Sequence, residues 1–411
     1  MKNIYLALLS ASIALVAFAP AANAATNLDN IKSRITNNIQ PIQSYQNIDQ
    51  INNFIVPDRA YSGVGFLSIA TSIGNFSCTG SLIGSSIVLT ASHCLSIPGA
   101  TINRIAFVLP GLLNENGNIT GREVINSTGF ALHPDYDVDI GVSGGSDVAI
   151  VSLSNAASDL RNIYELYSSD DEINNLSYLK VGTGTIGTGE TGVFEPNLGE
   201  PGSFDGRKRY GYNEYEFFFS DVLEALGGGV CVDRDIFFGA PCQGILTYDF
   251  DSGFARNDAF GEFLGASNVG RRLNGRIVDA VGTFGDSGGP TFINGRIAGV
   301  SSFLISAADL FEASNCGIGS IDPSANSAGD CTDGSFGEIG GDARVSSYLS
   351  FLNPFILGQR DIFGQFLTTL PTDFVSNAIP EPETWAMMLV GFGFAGSAMR
   401  RRRTSIKVTF A

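Results

Sequence analysis

The chain has 411 residues, enough for more than one compact unit, and 44% are hydrophobic against 16% charged, which excludes an intrinsically disordered protein. A formal charge of -17 excludes nucleic acid or an anionic membrane as a partner of the body, since both are held by clustered Lys and Arg. The 50 glycines suit a loop-rich all-β protein.

Residues 1–24 read as a signal peptide: Lys2, an apolar run from Ile4 to Phe18, and Ala22-Asn23-Ala24 as a small-residue cleavage site before Ala25. The rest is expected to be exported, with its six cysteines oxidised. Sequence alone leaves their pairing open; the local closures Cys78 with Cys94, Cys231 with Cys242 and Cys316 with Cys331 fit best. Residues 25–54, rich in Asn, Ile, Gln and Ser without a clear apolar period, read as a propeptide or leader.

Short β-branched and aromatic runs follow, Tyr61–Ile69, Phe76–Ile83, Ile87–Ala91, Ile105–Leu109 and Val124–Leu132, broken by glycine and serine, and they predict strands. The third leads into His93-Cys94. His133, the other histidine, precedes Pro134 at a turn and reads as a solvated surface group. Asp147 opens the apolar run that ends at Leu153, whereas Asp137 and Asp139 lie in a polar loop. Val181-Gly182-Thr183-Gly184-Thr185-Ile186-Gly187 satisfies G-x-G-x-x-G, but no amphipathic helix follows to hold a pyrophosphate, so dinucleotide binding is not expected.

Residues 190–275 read as an insertion of enlarged loops. It carries the aromatic run Tyr210 to Phe219, a short helix at Ser220–Leu226, Cys231 and Cys242, and the glycine-rich stretch Asp258 to Gly270. Asp249, Asp251 and Gly253 outline part of a calcium loop without its remaining ligands, so no metal is expected.

Gly285-Asp286-Ser287-Gly288-Gly289-Pro290 has nucleophile chemistry. Flanking glycines leave room for a substrate carbonyl and let two backbone N–H groups converge on an oxyanion. A serine is inert at neutral pH without a base, and His93 is the candidate. Together, Thr90-Ala91-Ser92-His93-Cys94 and Gly285 to Pro290, in that order, resemble the trypsin-like (chymotrypsin-fold) serine endopeptidases.

The resemblance implies an all-β fold over residues 55–357, two six-stranded antiparallel β-barrels with a C-terminal helix. It implies a triad of Ser287, His93 and Asp147, the last opening Asp147-Val148-Ala149-Ile150 as in the family's Asp-Ile-Ala-Leu segment. The N–H groups of Gly285 and Ser287 would form the oxyanion hole, with no metal or organic cofactor. Cys78 with Cys94 matches the family's pairing. Asp286 would form a salt bridge with an N-terminus freed by cleavage, either before Ile55-Val56, which follows Phe54 and not a basic residue, or after Arg59. Leu132-His133-Pro134-Asp135-Tyr136 is similar to the surface turn before the family's aspartate, and Val181 to Gly187 resembles its Gly-Trp-Gly strand with Thr183 in place of tryptophan. In substrate binding, Val281 would form the pocket base, Ser302 and Phe303 the Ser-Trp positions and Leu304 the wall. With no carboxylate there, small or medium aliphatic side chains are expected, although Asp279 would enter on a one- or two-residue bulge. Asp147 and Ser287 are 140 residues apart, beyond the family's usual span, which locates the insertion.

Beyond a linker at 358–378, the segment 379–403 holds Ile379-Pro380-Glu381-Pro382-Glu383, an apolar run from Ala386 to Met399 and Arg400 to Arg403, ahead of a tail at 404–411. It resembles the PEP-CTERM sorting signal of Gram-negative bacteria. The apolar run is shorter than the roughly 20 residues of a stable span, so a transient membrane contact pinned by the arginines is expected. The resemblance implies an exosortase-type sorting partner and a secreted, cell-surface or matrix location. Two other classes fit the sequence: a non-catalytic protease-like binding protein, and a surface or matrix component whose insertion binds a partner.

Overall fold

Strand alternation and tight turns set the architecture of the chain, seen here in a computed structural model that describes residues 43–45 and residues 60–358 with breaks at 112–120, 194–206, 228–241, 325–330 and several shorter ones. The signal peptide, both cleavage positions, and the linker, sorting segment and tail from 359 onward lie outside the described residues. Among the described residues, no helix is long and apolar enough to cross a membrane.

A short strand β1 (Gln43–Tyr45) precedes the first barrel, which is built from β2 (Val64–Thr71), β3 (Asn75–Gly84), β4 (Ile87–Thr90), β5 (Ile102–Leu109), β6 (Glu123–Leu132) and β7 (Ala149–Leu153). These close in the order β2-β3-β4-β7-β6-β5, so no hydrogen-bonding edge is left open. Leu67 and Ile69 on β2 and Ile105, Phe107 and Leu109 on β5 point inward at every second position, while Ser68 between the first two is exposed. Each such side chain contributes roughly 1.5–3 kcal/mol when fully buried.

The second half contains β8 (Ser177–Gly182), β9 (Ile186–Thr188), β10 (Gly192–Val193), β11 (Arg209–Glu214), β12 (Phe217–Phe218), α1 (Phe219–Ala225), β13 (Ile245–Asp249), α2 (Ala259–Leu264), β14 (Arg272–Leu273), β15 (Arg276–Ile277), β16 (Pro290–Ile293), β17 (Arg296–Ser306), α3 (Ala307–Leu310), β18 (Glu338–Arg344) and α4 (Leu349–Ile356). Its main sheet runs β11-β8-β16-β17-β18-β13-β12, seven strands where six were expected. The count differs because one strand is bent: β11 and β12 are separated only by Tyr215 and Glu216, and Glu216 N–H donates to the Thr247 carbonyl on β13 at 3.0 Å. One half of the bent strand bonds β8 and the other bonds β13, so the sheet curls back on itself. β16 and β17 join through Asn294 (φ 51°) and Gly295 (φ 78°), consecutive left-handed residues that match the twist of a two-residue hairpin. β1, β9 and β10 form a small separate sheet.

The stretch from 190 to 275 is therefore not all enlarged loop. Its aromatic run is β11 and β12, with residues alternating between buried and half-buried along β11, and the expected helix is α1. Apolar periodicity was hidden there because the buried positions of β11 are Arg209, Gly211 and Asn213, while its tyrosines lie on the half-buried face. The two halves share one core. The first barrel's apolar cluster takes in Val181, Phe292 and Val300 from the second sheet and Phe351, Leu352 and Phe355 from α4. That helix is preceded by a tight 3-10 turn at Val345–Tyr348.

Two disulfides are fully described, Cys78–Cys94 with Cα atoms 6.3 Å apart and Cys316–Cys331 at 5.4 Å. Cys242 is disulfide-bonded, and Cys231 lies outside the described residues.

Candidate active site

β4 and β7 are antiparallel neighbours with Thr90 opposite Ala149, so the exit of one strand and the entry of the other share one end of the barrel. This register brings His93, three residues past Thr90, to Asp147, two before Ala149. His93 N–H donates to Asp147 Oδ1 at 2.8 Å, and His93 Nδ1 lies 2.7 Å from Oδ2. The turn is held from behind. Ser92 Oγ donates to the Val148 carbonyl at 2.7 Å, and the Cys78–Cys94 disulfide ties the residue after His93 to β3. Ser146, before the aspartate, has φ 57°, and its N–H donates to the Tyr348 hydroxyl at 2.7 Å. The sulfurs of Cys78 and Cys94 are spent in the disulfide, so with His93 they do not form a thiolate metal site.

Ser287 arrives from the other half, in the loop before β16. Its Oγ is 2.8 Å from His93 Nε2, completing a hydrogen-bonded chain from Asp147 through the imidazole to the hydroxyl. Asp147 is 1% exposed and Ser287 3%, whereas the His93 side chain keeps 12%. The loop is stitched down on both sides. Gly288 N–H donates to Ser301 O at 2.8 Å and Ser301 N–H to Gly289 O at 2.9 Å, while Thr79 N–H on β3 donates to Ser287 O at 2.7 Å. Asp286 N–H is used on Thr283 O at 2.8 Å. Among the described residues, the N–H groups of Gly285 and Ser287 enter no hydrogen bond, which leaves two donors beside the Ser287 hydroxyl.

Gly288 has φ 78°, and a Cβ there would lie 2.1 Å from Thr90 Oγ1 and 2.5 Å from the Thr79 carbonyl. The close approach of the two halves requires glycine. Gly288→Ala is expected to cost at least about 2 kcal/mol in urea denaturation, from left-handed strain plus the clash; an unchanged midpoint would contradict this packing.

Asp286 is fully buried and is held by two backbone donors. Gly184 N–H donates to its Oδ1 at 2.8 Å and Thr283 N–H to its Oδ2 at 3.0 Å. Burial pushes its carboxyl up to about 7 against the pull of these donors and of Lys180 and Arg209.

The residues expected to bind substrate divide. Ser302 Oγ donates to Asp147 Oδ2 at 2.5 Å, so this side chain orients the aspartate. Val281 and Leu304, both 0% exposed, belong to one apolar cluster with Tyr178, Tyr215 and Tyr248. Phe303 lies in a different cluster, edge-on to Phe219 with centroids 5.2 Å apart. Phe303 and Leu304 thus pack into different clusters, because successive residues of β17 face opposite sides. Asp279 is buried against Asp251: a Cβ on Gly270 would lie 2.2 Å from its Oδ2 and 2.9 Å from Asp251 Cβ. His133 is not the surface group expected from its turn. It is 9% exposed and packs edge-on to Tyr348 and Phe351 at 5.1 and 4.9 Å, and burial lowers its pKa. The aromatic residues that enclose it are far away in sequence.

Sequence reading missed Thr79. Its hydroxyl donates to Gly285 O at 2.7 Å and lies 2.9 Å from Thr183 Oγ1, linking β3 to the nucleophile loop. Nothing in the spacing of a single threonine within a strand marks such a link.

Residues 56–198 match the family model described as Trypsin. This stretch is similar to the trypsin family. The matched stretch holds His93 and Asp147, and Ser287 lies beyond it. The chain is 37% identical over 114 residues to "Serine protease Hayan" of Drosophila melanogaster, across 27% of this chain and 17% of that protein, so it spans about a sixth of that relative's length. Among solved structures, it is similar to one of HL collagenase (18% identity, 74% of this chain and 96% of that one, TM-score 0.44). Another is titled "Structure of GrC" (16%, 74% and 97%, 0.44). Residues 378–403 match the PEP-CTERM protein-sorting motif, C-terminal to the stretch that matches the trypsin model.

Proposed function

We propose that the protein is a secreted serine endopeptidase that cleaves peptide bonds through Ser287, His93 and Asp147. The observation that carries this reading is the unbroken chain Asp147 Oδ2, His93 Nδ1 and Nε2, Ser287 Oγ, with links of 2.7 and 2.8 Å. Ser287 Oγ attacks the substrate carbonyl as His93 Nε2 takes its proton, and Asp147 holds the imidazole in the tautomer with Nδ1–H and stabilises the imidazolium. The oxyanion is held by the two unengaged N–H groups of Gly285 and Ser287. His93 passes the proton to the leaving amine, an acyl-enzyme remains on Ser287, and water activated by His93 releases it.

The resemblance, which sets Val281 and no carboxylate at the position of the pocket base, supports preference for small or medium aliphatic side chains over Lys and Arg. Internally quenched peptides with Ala, Val, Leu or Arg at the cleaved bond test both parts. Cleavage after the aliphatic residues is expected. Cleavage confined to Arg would overturn the specificity, and no cleavage of any peptide by the processed protein would overturn the activity. The signal peptide and the sorting motif support export, followed by handling by exosortase-type machinery at the surface.

Activation is proposed to depend on Asp286, whose buried carboxyl would receive the ammonium freed by cleavage before Ile55 or after Arg59. In the uncleaved chain its pKa is about 7 against an ordinary 3.8. Between these values the folded chain keeps a proton that the unfolded chain has released, so this group's contribution to stability falls as pH rises from about 4 to 7 and is flat above. The melting temperature of Asp286→Asn minus that of the wild type is therefore expected to rise over that window in the uncleaved protein. A difference independent of pH would contradict it.

A further inference from the structure

A second cluster of functional groups lies outside the triad, where the bent strand of the second barrel meets the end of β13. Asp249 ends that strand, Asp251 follows it and Asp258 caps α2. Each is 1% exposed, and each offers an oxygen within 4.8 Å of the others'. Glu216, in the bend between β11 and β12, adds its charge beside Asp249, and Asp279 adds its own beside Asp251.

Some of these oxygens have work within the fold. Asp249 Oδ2 accepts from Phe260 N–H at 3.0 Å, and Asp258 accepts from Gly261 N–H on Oδ1 and from the Ser267 hydroxyl on Oδ2, both at 2.6 Å. Two do not. Asp249 Oδ1 and Asp251 Oδ1 are buried without a hydrogen-bond partner. A buried carboxylate oxygen with neither donor nor counter-ion is costly, and here two face a third carboxylate within one small volume.

We propose that Asp249, Asp251 and Asp258 form a calcium site, with Glu216 and Asp279 at its edge. The donor set is all oxygen and all carboxylate, which selects a hard cation over zinc, whose protein sites favour His and Cys. Three carboxylates from one irregular loop suit the variable coordination of Ca²⁺ better than the strict octahedron of Mg²⁺. The sequence hint at Asp249 and Asp251 lacked a third ligand; the fold supplies it, because the turn into α2 returns Asp258 to them. The ion would join the bend that closes the second barrel, the end of β13 and the segment that runs from Asp279 toward Ser287.

The test uses the full exported chain, stripped with EDTA and melted with and without Ca²⁺, alongside Asp249→Asn and Asp251→Asn, with bound ⁴⁵Ca²⁺ measured by equilibrium dialysis. With a Kd on the order of 10⁻⁴ M, about 10 mM Ca²⁺ is expected to raise the melting temperature by about 5–10 °C. Each variant should lose that shift and the bound ion, and in EDTA should melt at or above the wild type because a repelling charge is gone. A wild type with no calcium-dependent shift and no bound ion would overturn the proposal. So would a full shift in both variants, which locates the ion elsewhere, or an equal shift with Mg²⁺, which removes the calcium assignment. If a variant does not fold, the wild-type dialysis and melting still decide. Peptide hydrolysis is not the readout, so failure of the protease reading would leave this result standing.

Discussion

Ser287→Ala is expected to lower kcat/KM for peptide hydrolysis by roughly 10⁴–10⁶ while moving the melting temperature by no more than a few degrees. The two effects separate because of how the serine is held. Its hydroxyl bonds His93 Nε2, whereas the loop is fixed through backbone groups: Thr79 N–H on Ser287 O, Gly288 N–H on Ser301 O and Ser301 N–H on Gly289 O. Alanine keeps all three and removes only the nucleophile. The residual rate would come from the two free N–H groups and substrate binding. Retention of more than about a tenth of the activity would mean that another group performs the chemistry.

Asp147→Asn should cost nearly as much, about 10⁴-fold in kcat/KM, although it changes one atom. The reason lies in the three bonds that the carboxylate accepts. Oδ1 takes the backbone N–H of His93, which cannot reorient, and Oδ2 takes the Ser302 hydroxyl and faces His93 Nδ1. An amide has one acceptor end. If its oxygen stays on the His93 N–H, its NH₂ points at Nδ1 and forces the proton onto Nε2, where it blocks acceptance from Ser287. If the amide flips, its NH₂ faces a backbone donor and leaves it unsatisfied. The first arrangement costs less, so the variant should fold with the wrong tautomer, visible as an Nε2-bound proton in ¹⁵N NMR of the imidazole. Loss below about tenfold, or a retained Nδ1 proton, would contradict this account of Asp147.

The sequence made most of the first barrel legible, because its strands are short β-branched and aromatic runs broken by glycine and serine, and in β2 the buried Leu67 and Ile69 flank the exposed Ser68. His93, Asp147 and Ser287 stood out because each sits in a motif whose residue types have little other use together. What stayed hidden depended on long-range pairing. The start of the run from Tyr210 to Phe219 buries Gly211 and Asn213 and leaves its tyrosines half-buried, so no apolar period revealed that it is the bent strand that curls the second sheet. His133 looked like a surface residue because Tyr348 and Phe351, which cover it, are more than 200 positions away. Ser302 was assigned to substrate, yet its hydroxyl turns to Asp147, a choice fixed by side-chain direction and not by spacing. Asp258 was the unseen partner of Asp249 and Asp251 for the same reason: local sequence shows neither burial nor the return of a chain after a turn.

The most direct measurement is reaction of the exported, processed protein with a fluorophosphonate probe, beside Ser287→Ala and His93→Ala, with the adduct located by mass spectrometry. Such a probe bonds only a serine whose proton is taken by a neighbouring base. A single adduct on Ser287, absent from both variants, is the result expected of the hydrogen-bonded chain Asp147, His93, Ser287. A folded, processed protein that takes up no probe, or takes it up equally after His93→Ala, would contradict the claim that these three side chains act as one catalytic unit.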